Sequence, residues 1–339
     1  AARDESGPAI PSRFVLRVRA MLGEQPLLDE HSETRAVALA RALASAPKAA
    51  PHPRPQPDPS PEQRLVDISV TALDRLRSDP YQFYASAILR LKALNGLDDE
   101  PDARQRGDAV HAILDRWHRE GSPPDRLLAI ADEELDRLSA HPLMRGLWRP
   151  RLVAALEAVA DAITAARAEG REVAITEARG DMQFDGVRVH GRVDRVDRLA
   201  DGTLAIVDYK TGSPPKNAEV EEGFALQLGL LGLIAQGSGF RDGEGRFVSG
   251  EPVRFEYWSM AKNKEGGFGY AQEPFKEGRK TRGPLREEFL DRTESFLKDA
   301  IDKWIMGREP FTARLNPDIG GYNDFDQLMR LDEWQAQVD

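Results

Sequence analysis

The sequence predicts an α/β fold, a β-sheet core flanked by helices with additional helices N-terminal to it, on three observations. Two adjoining stretches between residues 187 and 210 carry β patterning, short β-type runs recur at 173–178 and 253–260, and long helical patterns lie on either side.

The central pair is the most informative. Val187, Val189, Gly191 and Val193 alternate with Arg188, His190, Arg192 and Asp194, the period of a strand with one buried face, so Asp194 falls on the polar side. The return run LAIVDYK, 204–210, puts Asp208 and Lys210 on one face by its own parity. Asp201-Gly202 marks the turn. A two-residue loop would set Asp194 opposite Tyr209, whereas a three-residue loop at 200–202, with Gly202 left-handed, sets Asp194 opposite Asp208. The second register is preferred, because directly opposed carboxylates are unfavourable unless a cation lies between them, and a divalent ion serves best.

Composition narrows the chemistry. The 339 residues are 40% hydrophobic and 31% charged, enough for one large or two modest domains with a real core. No apolar run is long enough to span a membrane, and the polar, proline-containing start lacks a signal-peptide core, so the expected location is cytoplasmic and no membrane partner is expected. Zero cysteines exclude disulfides, thiolate metal sites and cysteine nucleophiles, leaving His, Asp and Glu as metal-binding side chains. A net charge of -10 argues against a general nucleic-acid coat, yet local basic residues and bound cations can offset it.

Along the chain, 1–50 holds two helical patterns, around Phe14 to Leu22 and at 32–44, too little for a core of their own. PHPRPQPDPSP, within a 51–64 linker, is expected to be semi-rigid and extended. From 65 to 339 the pattern is that of one domain. Ser69 or Thr71 caps a helix there, and the aromatics Tyr81, Phe83 and Tyr84 read as core. The helix at 102–120 buries Val110, Ile113, Leu114 and Trp117; His111 lies at the edge of that stripe and shares a face with Asp115 and His118, a face that could carry zinc. Long helical patterns cover 123–169. Glu177, on the following strand, is read as an exposed edge carboxylate in preference to a further ligand. After Gly212, an apolar helix at 224–233 is interrupted by Gln227, which must aim at the polar site or at a nucleic-acid backbone. The basic segment 262–282 reads equally as a binding loop or a solvated one, and the tail is expected to dock through Tyr322, Phe325, Leu328 and Trp334. No Walker-type phosphate loop is present.

Taken in order, G-x-x-x-H on a helix, GRVDRVD, IVDYKTG and a following Q-L resemble the RecB-like branch of the PD-(D/E)XK nucleases, and within it the C-terminal nuclease domains of AddB-type proteins. The resemblance, over about 65–339, implies a restriction-endonuclease-like core with a central mixed sheet. It implies Mg²⁺ or Mn²⁺ on His111, Asp194, Asp208 and the Tyr209 carbonyl, with Asp194, Asp208, Lys210 and Gln227 as catalytic residues. It also implies metal-dependent exonuclease action on DNA in double-strand-break repair, alongside an AddA-type helicase–nuclease partner, with 1–50 as the tail of a helicase-like domain. Two departures stand out. Leu231 occupies a position where relatives often carry tyrosine, and the cysteines that bind an iron–sulfur cluster in many relatives are missing. Apolar packing is expected to close that joint instead. The rivals are a catalytically dead DNA-holding domain and a stand-alone nuclease.

Overall fold

A computed structural model describes residues 3–4, 7–8, 12–23, 34–45, 52–92, 103–137, 142–276, 278, 281–314 and 324–335. The chain divides into two compact units, 1–52 and 53–339. The first carries helices α1 (Arg13–Leu22), capped by the Ser12 hydroxyl, and α2 (Thr34–Ala44), and neither buries a residue.

The second unit is a sheet between two helical layers. Its strands are β1 (Ile68–Ser69), β2 (Glu172–Phe184), β3 (Val187–Arg198), β4 (Leu204–Lys210), β5 (Phe240–Arg241), β6 (Phe247–Val248), β7 (Pro252–Lys262) and β8 (Phe268–Gln272). They lie in the order β8-β7-β4-β3-β2-β5-β6, with β1 against β3; β4–β7 and β1–β3 are parallel and the other pairs antiparallel, so the sheet is mixed. Central β4 is apolar from Leu204 to Val207 because both its faces are covered. One face packs on α3 (Val70–Ser78), α7 (Gln227–Gln236) and α8 (Phe289–Ala300) through Leu73, Leu231, Ile234 and Leu297. The other packs on α4 (Ala103–Arg119), α5 (Leu127–Arg137) and α6 (Pro142–Ala168) through Ile113, Trp117, Ile130 and Leu156. The Ser69 hydroxyl accepts from the Ala72 N–H and so starts α3 where the cap was expected.

The β3–β4 ladder pairs Arg195 with Val207 and Arg198 with Leu204, a register that sets Asp194 across from Asp208 one step further on. Its loop is 200–202, closed by a Leu199 N–H to Thr203 carbonyl bond of 2.9 Å, with Gly202 at φ 87°. The three-residue turn therefore forms as the charge argument requires.

Other expectations need correcting. The segment 262–282 is not merely a loop, since Phe268 to Gln272 form the edge strand β8. The Phe311 and Ala313 N–H groups donate to the Pro57 and Pro55 carbonyls, so the proline-rich stretch is extended but laid against its own domain. Prolines lack N–H groups but keep their carbonyls, which makes them one-sided pairing partners.

A third apolar cluster packs the C-terminal segment against residues 81–85. Tyr81, Ala85, Ala313, Phe325, Met329 and Trp334 pack together, and Asp79 accepts from the Arg314 N–H at 2.9 Å while the Arg314 guanidinium pairs with Asp326 at 2.8 Å. Leu328 stays exposed, contrary to expectation, and Tyr322 lies outside the described residues. Trp334→Ala is expected to cost about 3–5 kcal/mol and Leu328→Ala less than about 0.5. Thermal melts of the two variants check this, and equal shifts would mean that the tail does not dock as described.

Candidate active site

Where β3 and β4 part beyond Arg195, a cleft of about 780 Å³ opens, lined by His111, Asp194, Asp208, Tyr209, Lys210 and Gln227 among others. Each side chain has an evident positioning device. His111 hangs from α4 at the edge of its buried stripe and reaches the sheet, Nδ1 lying 3.2 Å from Glu177 Oε1 and 3.3 Å from Asp194 Oδ1. Burial alone would depress the imidazole, but hydrogen bonds to Asp194 and Glu177 outweigh it and raise its pKa to about 10.

Asp194 turns toward the gap between the strands, where its Oδ2 accepts the Tyr209 backbone N–H at 2.7 Å. Tyr209 is anchored from behind. Its hydroxyl meets Arg195 Nη1 at 2.6 Å and His118 Nε2 at 2.8 Å, and burial keeps that hydroxyl protonated. Arg195 in turn lies 4.3 Å over the Trp258 ring and pairs with Asp197, which Arg171 joins to Glu256. His118 is therefore a neutral buried anchor, its pKa pushed well down by burial and by Arg195. Asp115 is spent on Thr176 and Arg119. The zinc face on α4 does not form, because His111 turns to Asp194 and Glu177 while His118 is taken by Ser122 and Tyr209.

Asp208 is fully enclosed. Its pKa rises to about 7, first through burial and then through the Asp194 charge, against the pull of Lys210. Lys210 Nζ lies 2.7 Å from Asp208 Oδ2 and donates to Gln227 Oε1 at 2.9 Å. Gln227 is the first residue of α7, and the preceding Leu226 N–H donates to Asp74 of α3 at 2.7 Å. Asp74, itself raised to about 7 by burial, thus fixes the helix end that carries Gln227. Leu231 is buried against the sheet, not in the cleft.

Glu177 is the residue that sequence reasoning placed wrongly. It stands on β2, which is paired on both sides, and its carboxylate is 13% exposed, bridging His111 and Arg192. Its φ is 48°, a left-handed conformation that costs a non-glycine residue about 1–2 kcal/mol. Such strain is kept where a side chain must be aimed. A signal existed: Asp185-Gly186, both at positive φ, is a two-residue hairpin turn, and the register it sets places Glu177 opposite Asp194.

The donor set fits a hard divalent cation. His111, Glu177 and Asp194 offer ligand atoms all within 4.8 Å of one another, and Asp208 lies across the same cleft. Carboxylate oxygens with a single imidazole suit Mg²⁺ or Mn²⁺.

Residues 67–317 match the model of the PD-(D/E)XK nuclease superfamily, and the chain belongs to that superfamily. An uncharacterised protein of Rickettsia conorii is 26% identical over 187 residues, 51% of this chain and 22% of its own length. A protein of Streptococcus pyogenes serotype M49, one of the subunits of an ATP-dependent helicase/deoxyribonuclease, is 25% identical over 153 residues, 43% of this chain and 14% of its own length. The chain thus spans about a fifth or less of these relatives. The crystal structure of SSO0001 aligns over 81% of this chain and 85% of its own at 10% identity, with a TM-score of 0.26.

Proposed function

We propose that this protein is a divalent-metal-dependent deoxyribonuclease that hydrolyses phosphodiester bonds. The reading is carried by one observation: Asp194, Asp208 and the Lys210 ammonium converge in an open cleft that His111 also lines, with Glu177 held against His111 at 3.2 Å. His111, Asp194, Asp208 and the Tyr209 carbonyl would hold Mg²⁺ or Mn²⁺, with Glu177 as a further carboxylate; when bound, the ion supplies Lewis-acid activation of the phosphate and a more acidic water. Lys210, held by Asp208 and Gln227, is placed to orient the attacking water and to offset charge developing on the phosphate oxygens. The likeness to a subunit of an ATP-dependent helicase/deoxyribonuclease favours a DNA strand as substrate and a helicase-containing assembly, and the motif resemblance to AddB-type domains adds exonucleolytic action in double-strand-break repair beside an AddA-type partner. With no cysteine, no iron–sulfur cluster belongs to this chain.

The test is cleavage of end-labelled DNA by the full chain with Mg²⁺, with Mn²⁺ and with EDTA. Cutting restored by either metal and abolished by EDTA is the expected result; DNA binding without cutting under all three would make it a holding domain. His111→Ala is expected to lose more activity with Mg²⁺ than with Mn²⁺, which tolerates irregular coordination better. Equal losses in initial rate with both metals would remove His111 from the ligand set.

A further inference from the structure

The acid pair has a basic counterpart one row along the sheet. β2 and β3 pair Arg179 with Arg192, and on its other side Arg179 pairs with Arg241 of β5, so three arginines stand in a row across neighbouring strands. In the same register the Glu177/Asp194 row lies two residues away, about 7 Å along the strands. Like charges directly opposed on a sheet are destabilising unless compensated. Arg192 is compensated by Glu177 at 2.9 Å, and Arg241 lies 5.2 Å over the Phe247 ring and donates to the Gly245 carbonyl at 3.2 Å. Arg179 is exposed, and its side chain makes no hydrogen bond or ion pair among the described residues. Arg179 and Arg192 both line the cleft that holds Asp194, Asp208 and Lys210.

We propose that this row seats a phosphodiester neighbouring the one cleaved, so that the strand leaves the acidic site across β3, β2 and β5. The same reasoning applies to both rows: opposed acids call for a cation, and opposed guanidiniums call for an anion. A guanidinium fork suits a phosphate in particular, since it donates two parallel hydrogen bonds. The row is sequence-blind, because it meets only the backbone. Arg192 has a double task, as its partner Glu177 also belongs to the acid cluster, so it couples occupation of one row to the other. This inference rests on the nuclease reading, and Arg179 is its cleanest probe because it contacts none of the acids.

The experiment is fluorescence anisotropy of a labelled single-stranded oligonucleotide with the full chain in Ca²⁺ across a salt series, beside cleavage in Mg²⁺. Each lost phosphate contact lowers the slope of log K against log salt by about 0.7 for single strands. Arg179→Ala is expected to show that loss and several-fold weaker binding at low salt, while its cleavage rate at saturating oligonucleotide stays within about two-fold of the parent. Arg179→Lys keeps the slope, and Arg151→Ala, an exposed arginine of α6, leaves it unchanged. An unchanged slope in Arg179→Ala, with the parent still cutting, overturns the phosphate row and spares the nuclease reading. A parent that neither binds nor cuts overturns both.

Discussion

Asp208→Asn is expected to lower divalent-dependent cleavage by about a thousandfold or more, the scale of several kcal/mol of lost charge stabilisation. The side chain is buried, feels the Asp194 charge and meets the Lys210 ammonium at 2.7 Å, so under the proposed assignment its neutralisation weakens a metal ligand and frees the lysine at once. His111, Glu177 and Asp194 remain as a group, so Mg²⁺ affinity is expected to weaken without vanishing. Stability should move differently. Burial and the Asp194 charge both disfavour the ionised carboxylate, and the neutral isostere relieves that conflict, so the Tm is expected not to fall. Single-turnover cleavage beside a thermal melt separates the two effects. Undiminished cutting by Asp208→Asn sinks the site assignment, and a collapsed Tm would assign the residue to folding instead.

The parts of the site legible in the sequence were those fixed by turn chemistry and strand parity. Asp194 and Asp208 could be set opposite each other because a left-handed glycine and a like-charge argument select one loop length, and Gly202 does adopt φ 87°. Glu177 escaped because the strand was ended at Ala178, whereas β2 continues to Phe184 and turns at Asp185-Gly186. The same hairpin carries two arginines of the row, Arg179 and Arg192. His118 escaped for another reason: helical periodicity states which residues share a face but not which neighbour each one meets, and the Tyr209 hydroxyl claims this imidazole from a strand some ninety residues away in sequence. The edge strand at 268–272, FGYAQ, was hidden by its flanks, where Lys262, Lys264, Gly266, Gly267, Lys276 and Gly278 are residues that β propensity ranks low, and the already formed β7 edge still pairs it.

Lys210→Ala is expected to leave Mg²⁺ and DNA binding near those of the parent and to slow cleavage by about 10²–10³-fold, the usual consequence of removing one group that acts mainly in the transition state. The ammonium is not a metal ligand, and its nearest acceptors are Asp208 Oδ2 at 2.7 Å and Gln227 Oε1 at 2.9 Å. Removing a positive charge beside the acids should, if anything, tighten the cation. Lys210→Arg is expected not to restore the rate, because a planar fork cannot occupy the place of a compact ammonium held between a buried carboxylate and an amide. Gln227→Ala should fall between, since it leaves the ammonium in place but removes one of the two acceptors that aim it. Its position at the start of α7, which Asp74 pins through the Leu226 N–H, makes that aim a property of the fold. Calorimetric Mg²⁺ titration of each variant beside single-turnover cleavage gives the decision: near-normal turnover in Lys210→Ala, or loss of Mg²⁺ binding with it, removes Lys210 from the chemical step.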